Sequence, residues 1–382
     1  MRIATNIIRV LVGVLFIVSG LVKANDPFGL AYKMEEFFEV WNASLAAGSF
    51  FAKGALIGLF NWLHGHALAL SVFMIALEII AGVALLLGIW RRWVLNGLLV
   101  LIVFFTFLTA YATLSGKFRS CGCFGDCLPI PPLASFGKDI ALLLLIIWLI
   151  VFQRYLRPLF SLRAGRLLLV LSVLFSFGIQ WYFLKHLPAA DCLPYKIGKN
   201  IPEGMKIPAG AIPDSFAMKF IYQKNGKQYD FDLSNLPTDT SYKFVDRQDK
   251  LVRKGNAEAP IKGFVLQDEA GTDVTAAVLA EPKAVLVFVL QFDNLNDWLV
   301  PVRNLYRQAR SRNVPFFIIT ANASKGRVLF NAAGLAEVVI LSCDNTAVRT
   351  AARTNPTVYL VEKGTIRDKT AVGKTERIIK KL

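Results

Sequence analysis

Residues 67–89 read ALALSVFMIALEIIAGVALLLGI, an apolar stretch with a single acidic residue, Glu78, near its middle. A hydrocarbon core about 30 Å thick is crossed by roughly 20 helical residues, so this stretch predicts a transmembrane helix. Four more apolar stretches predict further spans, at residues 7–22, 94–114, 140–152 (extended backwards towards 136) and 167–184. No such run follows residue 189, so the pattern predicts a membrane module followed by a water-soluble module.

The composition agrees with this division. Hydrophobic residues make up 55% of the chain and charged residues 18%, and the mean hydropathy of +0.49 is too high for an ordinary soluble domain. The formal net charge is +16, but the basic residues are scattered and form no stripe interleaved with aromatic residues. We therefore expect membrane lipid as a partner and no nucleic acid.

Arginines in the short turns predict the orientation. Arg91 and Arg92 follow the second span, and four more arginines lie between the fourth and fifth spans, at positions 154, 157, 163 and 166. Positively charged short loops stay in the cytoplasm. The sequence therefore predicts an inner (cytoplasmic) membrane protein with a cytoplasmic N-terminus and a periplasmic or otherwise extracytoplasmic C-terminal domain. No small-residue cleavage site follows the first span, which predicts that this span is retained.

Three of the five cysteines cluster in residues 119–132, RSCGCFGDCLPIPP, between the third and fourth spans. In the predicted orientation Cys121, Cys123 and Cys127 face an oxidising compartment, where thiols are paired, metal-bound or reactive. Redox exchange and a structural bridge are both compatible with the spacing, whereas a zinc site would need a fourth ligand. Cys192 follows the fifth span and should lie at the same surface. Cys343 ends an apolar strand and is expected to be a buried thiol.

Glu78 is the second candidate. An ionisable group inside a span is costly and indicates a functional or pairing position. Glu78 could carry protons, contact a quinone-type head group, or simply bond to another helix. Lys138 and Asp139 open the fourth span, where reaching back to the membrane interface accounts for both of them.

The first four spans resemble the DoxX/MauE group of small four-helix membrane proteins. The likeness rests on VSGLVKANDPFG at the end of span one, LEIIAGVALLLG in span two, and the CGCFGD loop before a GKD helix start. It implies disulfide or electron-transfer chemistry at the membrane, in support of exported redox proteins. A quinone is the implied cofactor, through a looser likeness to quinone-linked thiol oxidases.

The water-soluble part resembles a TlpA-like or peroxiredoxin-like thioredoxin fold. Residues 262–284 resemble its opening hairpin, VLVFVL at 285–290 its first buried strand, and TNPTVYLVEKGTI the segment that carries its cis proline, here Pro356. The pattern predicts further strands at 314–319 and 338–341 and helices at 298–311 and 345–353. Before this unit, residues 216–233 alternate around Asn225-Gly226, which predicts a hairpin.

One departure from that fold concerns chemistry. The C-x-x-C pair that should follow the first strand is replaced by QFDNLN at 291–296. The domain should therefore not perform dithiol chemistry, and its expected role is partner binding near Pro356.

The predicted architecture is a membrane α-helical four-helix bundle, a fifth transmembrane helix and a soluble α/β thioredoxin-like domain. The predicted boundaries are a DoxX/MauE-like domain at 1–155, the fifth helix at 156–188, an irregular or β-rich exported linker at 189–260, and a thioredoxin-like domain without C-x-x-C at 261–382. Two functions stay open ahead of small-molecule transport. One is a thiol–disulfide redox or electron-relay protein that acts on an exported redox or client protein. The other is a non-catalytic, membrane-anchored assembly factor with a structural disulfide. No phosphate loop, G-x-S-x-G elbow or H-E-x-x-H helix indicates another enzyme class.

Overall fold

A computed structural model describes the chain apart from residues 49–51, 119–121, 123, 124, 126, 128, 129, 214, 254 and 256, and apart from the side chains of 216, 217, 249–251 and 253. Cys121 and Cys123 are therefore outside the described residues. The N-terminal part is helical: α1 Arg2–Ala24, α2 Pro27–Ala47, α3 Lys53–Gly65, α4 Ala67–Leu87, α5 Arg91–Ser115, α6 Pro132–Val151 and α7 Leu162–Lys185.

Five of the described helices, α1, α4, α5, α6 and α7, are long and apolar enough to cross a membrane. They coincide with the five predicted spans, which confirms that part of the prediction. The first four pack around a core that includes Val12, Leu98 and Ile146, each fully buried. α7 packs on the outside of this bundle against α4, through Gln180, whose Nε2 donates to the Val72 carbonyl at 3.2 Å.

Glycines allow α1 and α4 to pack closely. A Cβ on Gly82 would lie 2.8 Å from the Gly13 carbonyl oxygen, and a Cβ on Gly20 would lie 2.5 Å from Ile79 Cγ1. Small residues at such contacts let helix backbones approach each other within a membrane, where packing replaces the hydrophobic effect as the driving force. This close contact sets the position of Glu78 on α4 against α1.

The bundle has two chemically different ends. The arginine end holds the α4–α5 turn and residues 152–161. Here Arg9 is buried, and its guanidinium donates to the carbonyls of Leu85 and Arg157, both at 2.9 Å. The cysteine end holds the described loop residues Gly122, Gly125 and Cys127, helices α2 and α3, and the start of the C-terminal part. Arg9 thus donates to a carbonyl in the last turn of α4, where the helix itself leaves carbonyls without partners and where Leu85 also accepts from the Gly88 amide.

Helices α2 and α3 fill the first long connection, for which the sequence predicted no helix. Asp26 caps α2, since its side chain accepts from the Gly29 amide at 3.2 Å, and Pro27 occupies the first helical position. Both residue types are typical helix-start signals. An aromatic cluster joins α2 to the cysteine loop, with Phe37 and Phe118 stacked at 4.1 Å between ring centroids. α2 therefore lies across the cysteine end of the bundle.

The C-terminal part begins with a short helix and a three-stranded antiparallel sheet, order β2-β1-β3: α8 Ile201–Gly204, β1 Ser215–Lys224, β2 Lys227–Asp232 and β3 Lys243–Arg253. The hairpin predicted around Asn225-Gly226 is confirmed, with Lys224 paired to Lys227. Both turn residues have positive φ, 53° and 78°, as a two-residue hairpin turn requires.

The rest forms a five-stranded mixed sheet with helices on both faces, order β6-β5-β4-β7-β8. β4, β5 and β6 are parallel, and β7 and β8 follow antiparallel. The elements are α9 Thr275–Ala280, β4 Ala284–Val289, α10 Leu295–Ser311, β5 Phe316–Thr320, α11 Ala323–Ala332, β6 Val339–Ser342, α12 Asn345–Ala351, β7 Thr357–Glu362, β8 Thr365–Ala371 and α13 Glu376–Ile379. The strands and helices predicted between 285 and 353 are thereby confirmed.

Two features of this sheet bear on the site. The peptide bond before Pro356 is cis, and Pro356 itself is buried at the start of β7. The core of the sheet also takes in Tyr195 and Ile201, at 1% and 0% exposure. These two residues belong to the predicted linker. Because they are buried in the core of the sheet, they hold the segment after α7 against it.

Candidate functional site

A disulfide between Cys127 and Cys192 joins the cysteine loop to the segment after α7, with the two Cα atoms 4.9 Å apart. Cys127 is partly buried and Cys192 is exposed. The sequence placed both residues at one surface without predicting their pairing. Cys127, one of the candidate redox thiols, therefore forms a disulfide with Cys192.

The segment that carries Cys192 is connected to both halves of the chain. Asn25, between α1 and α2, donates to the Ala190 carbonyl at 2.9 Å and accepts from its amide at 3.1 Å. Asp191 accepts from Lys369 on β8 at 2.9 Å. Burial lowers the pKa of Lys369, and Asp191 opposes that shift. The bridge therefore lies where the bundle, the loop and the C-terminal sheet meet.

A cleft of about 530 Å³ opens beside the bridge, and we call it the bridge cleft. Helix α2, residues 192–194 and helix α12 form its walls. Gly122 of the loop is adjacent, because a Cβ there would lie 2.8 Å from Cγ of Lys33, which lines the cleft. Gly122 has a φ of 67°, a conformation that favours glycine. The lining is Gly29, Tyr32, Lys33, Glu35, Glu36, Glu39, Cys192, Leu193, Pro194, Asn345, Thr346, Arg349, Thr350 and Arg353.

Ion pairs hold α12 and the residues that follow it against α2 and its capping residue Asp26. Arg353 lies 2.8 Å from Asp26, and Arg349 lies 2.5 Å from Glu35. Both guanidinium groups lie over the Tyr32 ring, at 5.3 and 5.0 Å from its centroid. Burial raises the pKa of Tyr32 to about 12, against the opposing effect of the two arginines. Tyr32 is therefore neutral at physiological pH, and its ring is free to interact with both cations.

Glu78 has a cationic partner within the bundle. Lys23 Nζ on α1 lies 2.5 Å from Glu78 Oε1, and Ser19 donates to Oε2 at 2.9 Å. The side chains of Lys23 and Glu78 are 2% and 1% exposed. Lys23 also lies 4.7 Å from the centroid of the Phe105 ring. Glu78 therefore bonds to another helix, which is one of the alternatives that the sequence left open, and its role as a proton or quinone site remains a prediction.

Asp139 was interpreted wrongly from the sequence. Instead of reaching the membrane interface it is fully buried, accepting from Thr109 at 3.0 Å and pairing with Lys138 at 2.5 Å. The reason is that α6 begins at Pro132, so that Asp139 lies about two helical turns inside the helix. The prolines at 131 and 132 were the available signal for this earlier helix start.

Glu78 and Asp139 line the same small cavity of about 30 Å³, together with Lys23 and Lys138. This volume is enough for a water molecule with several polar partners. A six-membered ring needs far more, since a cavity of about 150 Å³ is of the size that takes benzene. A quinone head group therefore does not fit beside Glu78 in this arrangement.

A larger, almost wholly apolar groove of about 780 Å³ lies between α2, α3, α4 and α5. Its walls include the rings of Phe37, Trp41 and Tyr111. The groove has the size and lining that suit a lipid chain, in agreement with membrane lipid as a partner. Neighbouring residues of α5 line the two spaces, Phe104 the groove and Phe105 the Glu78 cavity.

Residues 291–296, which stand where the resemblance would place C-x-x-C, contain no thiol. Asn355, just before the cis proline, accepts from the amide of Leu290 at 2.9 Å and donates to the carbonyl of Gln291 at 2.7 Å. The side chain of Asn355 thereby ties the Pro356 segment to residues 290 and 291. Partner binding at Pro356 remains a prediction.

Cys343 is the remaining described cysteine; it is free, with 6% exposure, as predicted. Burial raises the pKa of its thiol to about 11.

At pH 8 only about 0.1% of the Cys343 thiol is the reactive thiolate. We therefore expect iodoacetamide to modify Cys343 in the folded protein at least about 100-fold more slowly than in the unfolded protein. The rate should rise about tenfold per pH unit towards pH 11, because the raised pKa delays thiolate formation. Peptide mass mapping measures both, and rapid labelling at pH 8 in the folded state would contradict the assigned burial.

Among the described residues, no group of three or more His, Cys, Asp and Glu residues is arranged to hold a metal ion.

Comparison with known proteins gives two matches. A family described as "Methylamine utilisation protein MauE" matches residues 1–152, and a "Domain of unknown function (DUF8463)" matches residues 216–254, the three-stranded sheet. No curated protein and no solved structure matches the chain significantly. The first match spans the buried Lys23–Glu78 pair, Asp139 and Cys127 of the bridge. Over residues 1–152 the chain is thus a MauE-like, multi-pass membrane protein.

Proposed function

We propose that this chain is a thiol–disulfide redox protein of the cytoplasmic membrane that exchanges electrons with an exported protein at its cysteine end. The observation that carries the proposal is the Cys127–Cys192 bridge, in which the exposed residue Cys192 lies on the wall of an open cleft. Thiol–disulfide exchange requires access of a thiolate to one sulfur of a bridge, and this arrangement offers it.

The remaining thiols suit a relay. Of the five cysteines, two form the bridge and Cys343 is buried, so Cys121 and Cys123 remain. We propose that this C-x-C pair exchanges with the bridge and passes electrons on. The contact of Gly122 with Lys33 supports the proposal, since it brings the backbone between the two cysteines to the edge of the bridge cleft.

Glu78 has a proposed role in proton handling. Oxidation of two thiols releases protons, and a buried carboxylate with a lysine partner and space for water is suited to take part in their transfer. Asp139 lines the same cavity and joins Glu78 as a candidate. The eventual electron acceptor is assigned no site, because the cavity beside Glu78 is too small for a quinone ring.

The C-terminal part is proposed to present the client. Its strand order and cis proline agree with the thioredoxin-like resemblance, and the absence of a cysteine in residues 291–296 fits binding without dithiol chemistry. The matched family is named for methylamine utilisation. An exported redox protein is accordingly the class of client we propose.

One observation favours the other function, a non-catalytic assembly factor with a structural bridge. Cys192 lies next to Asp191, whose ion pair with the buried Lys369 holds the C-terminal sheet. In that case the bridge would fasten the sheet to the bundle rather than exchange electrons.

Mild reduction separates the two functions. Intact membranes are treated with a mild, non-denaturing reductant, the exposed thiols are alkylated, and the adducts are mapped by mass spectrometry. For a redox protein we expect adducts at Cys192 and at Cys121 or Cys123, with Cys343 unlabelled, because exchangeable bridges are accessible and easily reduced. Cys121→Ser and Cys123→Ser should then abolish function while leaving membrane levels unchanged.

The buried thiol supplies the control. Cys343→Ala should leave the labelling pattern as it is, since the burial of Cys343 keeps it from reacting. The redox proposal fails if the bridge survives mild reductant and both serine variants lose protein abundance. That outcome would support the assembly factor.

A further inference from the structure

We propose that the bridge cleft receives an extended, basic, cysteine-bearing segment of an exported protein, and that Cys192 is the sulfur that the incoming thiolate attacks. The proposal rests on the redox function proposed above and adds the class of substrate and the point of attack. It depends on the access to the two sulfurs, the size of the cleft and the distribution of its charges.

Access distinguishes the two bonded cysteines. Cys192 is exposed and lines the bridge cleft, next to Leu193 and Pro194. Cys127 is partly buried and is not among the residues that line the cleft. Because the attacking thiolate needs a free approach to one sulfur, exchange should begin at Cys192 and release Cys127.

The size of the cleft suits a peptide segment. Its volume of about 530 Å³ is within the range of roughly 300–1,000 Å³ in which proteins bind small ligands. The space is open to solvent and lies between two helices, α2 and α12. A short extended stretch of chain can therefore enter with its cysteine towards Cys192.

Among the described residues that line the cleft, three side chains are acidic and three are basic, and the two most exposed of them are acidic. Glu36 and Glu39 have side chains 41% and 65% exposed. The cations are more buried: Arg353 is 4%, Lys33 23% and Arg349 31% exposed, and each contacts a carboxylate of α2 or Asp26. Glu39 contacts only His64 among the described residues, at 3.2 Å. Glu36 is paired with Lys33 at 2.7 Å, so Glu39, the most exposed of the six charged side chains that line the cleft, is the charge that an incoming basic residue meets first.

The exchange balances with the bridge as the oxidant. The client thiolate forms an S–S bond to Cys192 as the Cys127–Cys192 bond breaks, and Cys127 leaves as a thiolate. A second client thiol then attacks the client sulfur of this mixed disulfide and releases Cys192. The client is oxidised from a dithiol to a disulfide, and two electrons and two protons pass to Cys127 and Cys192.

The test uses the full-length protein in detergent and two synthetic peptides. Both peptides have the same length and one cysteine, activated as a mixed disulfide with thionitrobenzoate; one is rich in lysine and the other in glutamate. In the variant Cys121→Ser/Cys123→Ser/Cys127→Ser, the Cys192 thiol attacks the activated peptide and forms the same mixed disulfide. Release of thionitrobenzoate gives the rate, and peptide mapping identifies Cys192 as the modified residue.

We expect the basic peptide to react about tenfold faster than the acidic one, a factor that corresponds to about 1.4 kcal/mol of electrostatic discrimination. Glu36→Gln combined with Glu39→Gln should bring the ratio close to one. Raising the salt concentration should also reduce it, because exposed charges are screened. As a matched control, Glu203→Gln with Glu376→Gln removes two exposed carboxylates that do not line the cleft and should leave the ratio unchanged.

A second measurement uses no variant and therefore tests the proposal even if a protein with Cys127→Ser folds poorly. The unaltered, oxidised protein is mixed with the two peptides as free thiols, and alkylation of the released Cys127 reports opening of the bridge. Equal rates, a preference for the acidic peptide, or release of Cys192 in place of Cys127 would overturn the proposal. The ratio between the rates of the basic and the acidic peptide at a free Cys192 does not depend on how readily the native bridge is reduced. Failure of this proposal can therefore be told apart from failure of the proposed redox function.

Discussion

Replacing Lys23 alone by methionine, or Glu78 alone by leucine, should destabilise the membrane bundle by about 3–5 kcal/mol, because each change leaves one buried charge without its partner. The two side chains are at most 2% exposed and have a direct contact, so bulk water does not reach the charge that is left without its partner. The double variant Lys23→Met/Glu78→Leu should recover most of the lost stability, since no unpaired charge remains. Denaturation of the purified protein in detergent measures the three free energies of unfolding.

The double variant also separates structure from function. If Glu78 handles protons, the double variant should be folded and abundant but inactive in exchange. The exposed pair of Arg310 and Glu337 provides the control, and Glu337→Gln should cost below about 1 kcal/mol. Single variants as stable as the unaltered protein would contradict the buried ion pair, and full activity in the double variant would remove Glu78 from the mechanism.

A topology reporter should give opposite results at the two ends of the bundle. Fused after Arg163, it should show a cytoplasmic location, and fused after Leu382 an exported one. The arginines of the two short turns lie at one end of the bundle, where Arg9 contacts the carbonyl of Arg157. Short positively charged loops are retained in the cytoplasm, whereas long translocated domains are largely exempt from this rule.

The reporter result decides the compartment of the bridge. Two complementary reporters are used: a phosphatase that is active only after export, and a fluorescent protein that is active only without export. They should give opposite signals at each fusion site. As a control, a fusion after Arg92 should match the one after Arg163, because both follow turns at the arginine end. The reverse pattern would place the cysteine end in a reducing compartment and would remove the basis of the redox proposal.

Much of the fold follows from local patterns. The five spans were predictable because each helix needs about 20 apolar residues that are contiguous in the chain. The hairpin at Asn225-Gly226 and the strands of the five-stranded sheet were predictable for a similar reason, since turn residues and buried apolar runs act locally. Helix α2 could have been found from Asp26 and Pro27, a cap followed by a proline.

The sequence by itself determined the membrane module, its charged turns, the positions of the five cysteines and the absence of a thiol in residues 291–296. The tertiary structure alone decided that Cys127 pairs with Cys192, that Asp139 joins the Glu78 cavity, and that α12 closes a cleft against α2. The partners in these contacts lie far apart in the chain, 65 residues in the case of the bridge. Local periodicity carries no information about such distances, because they depend on how the helices and the sheet pack against one another.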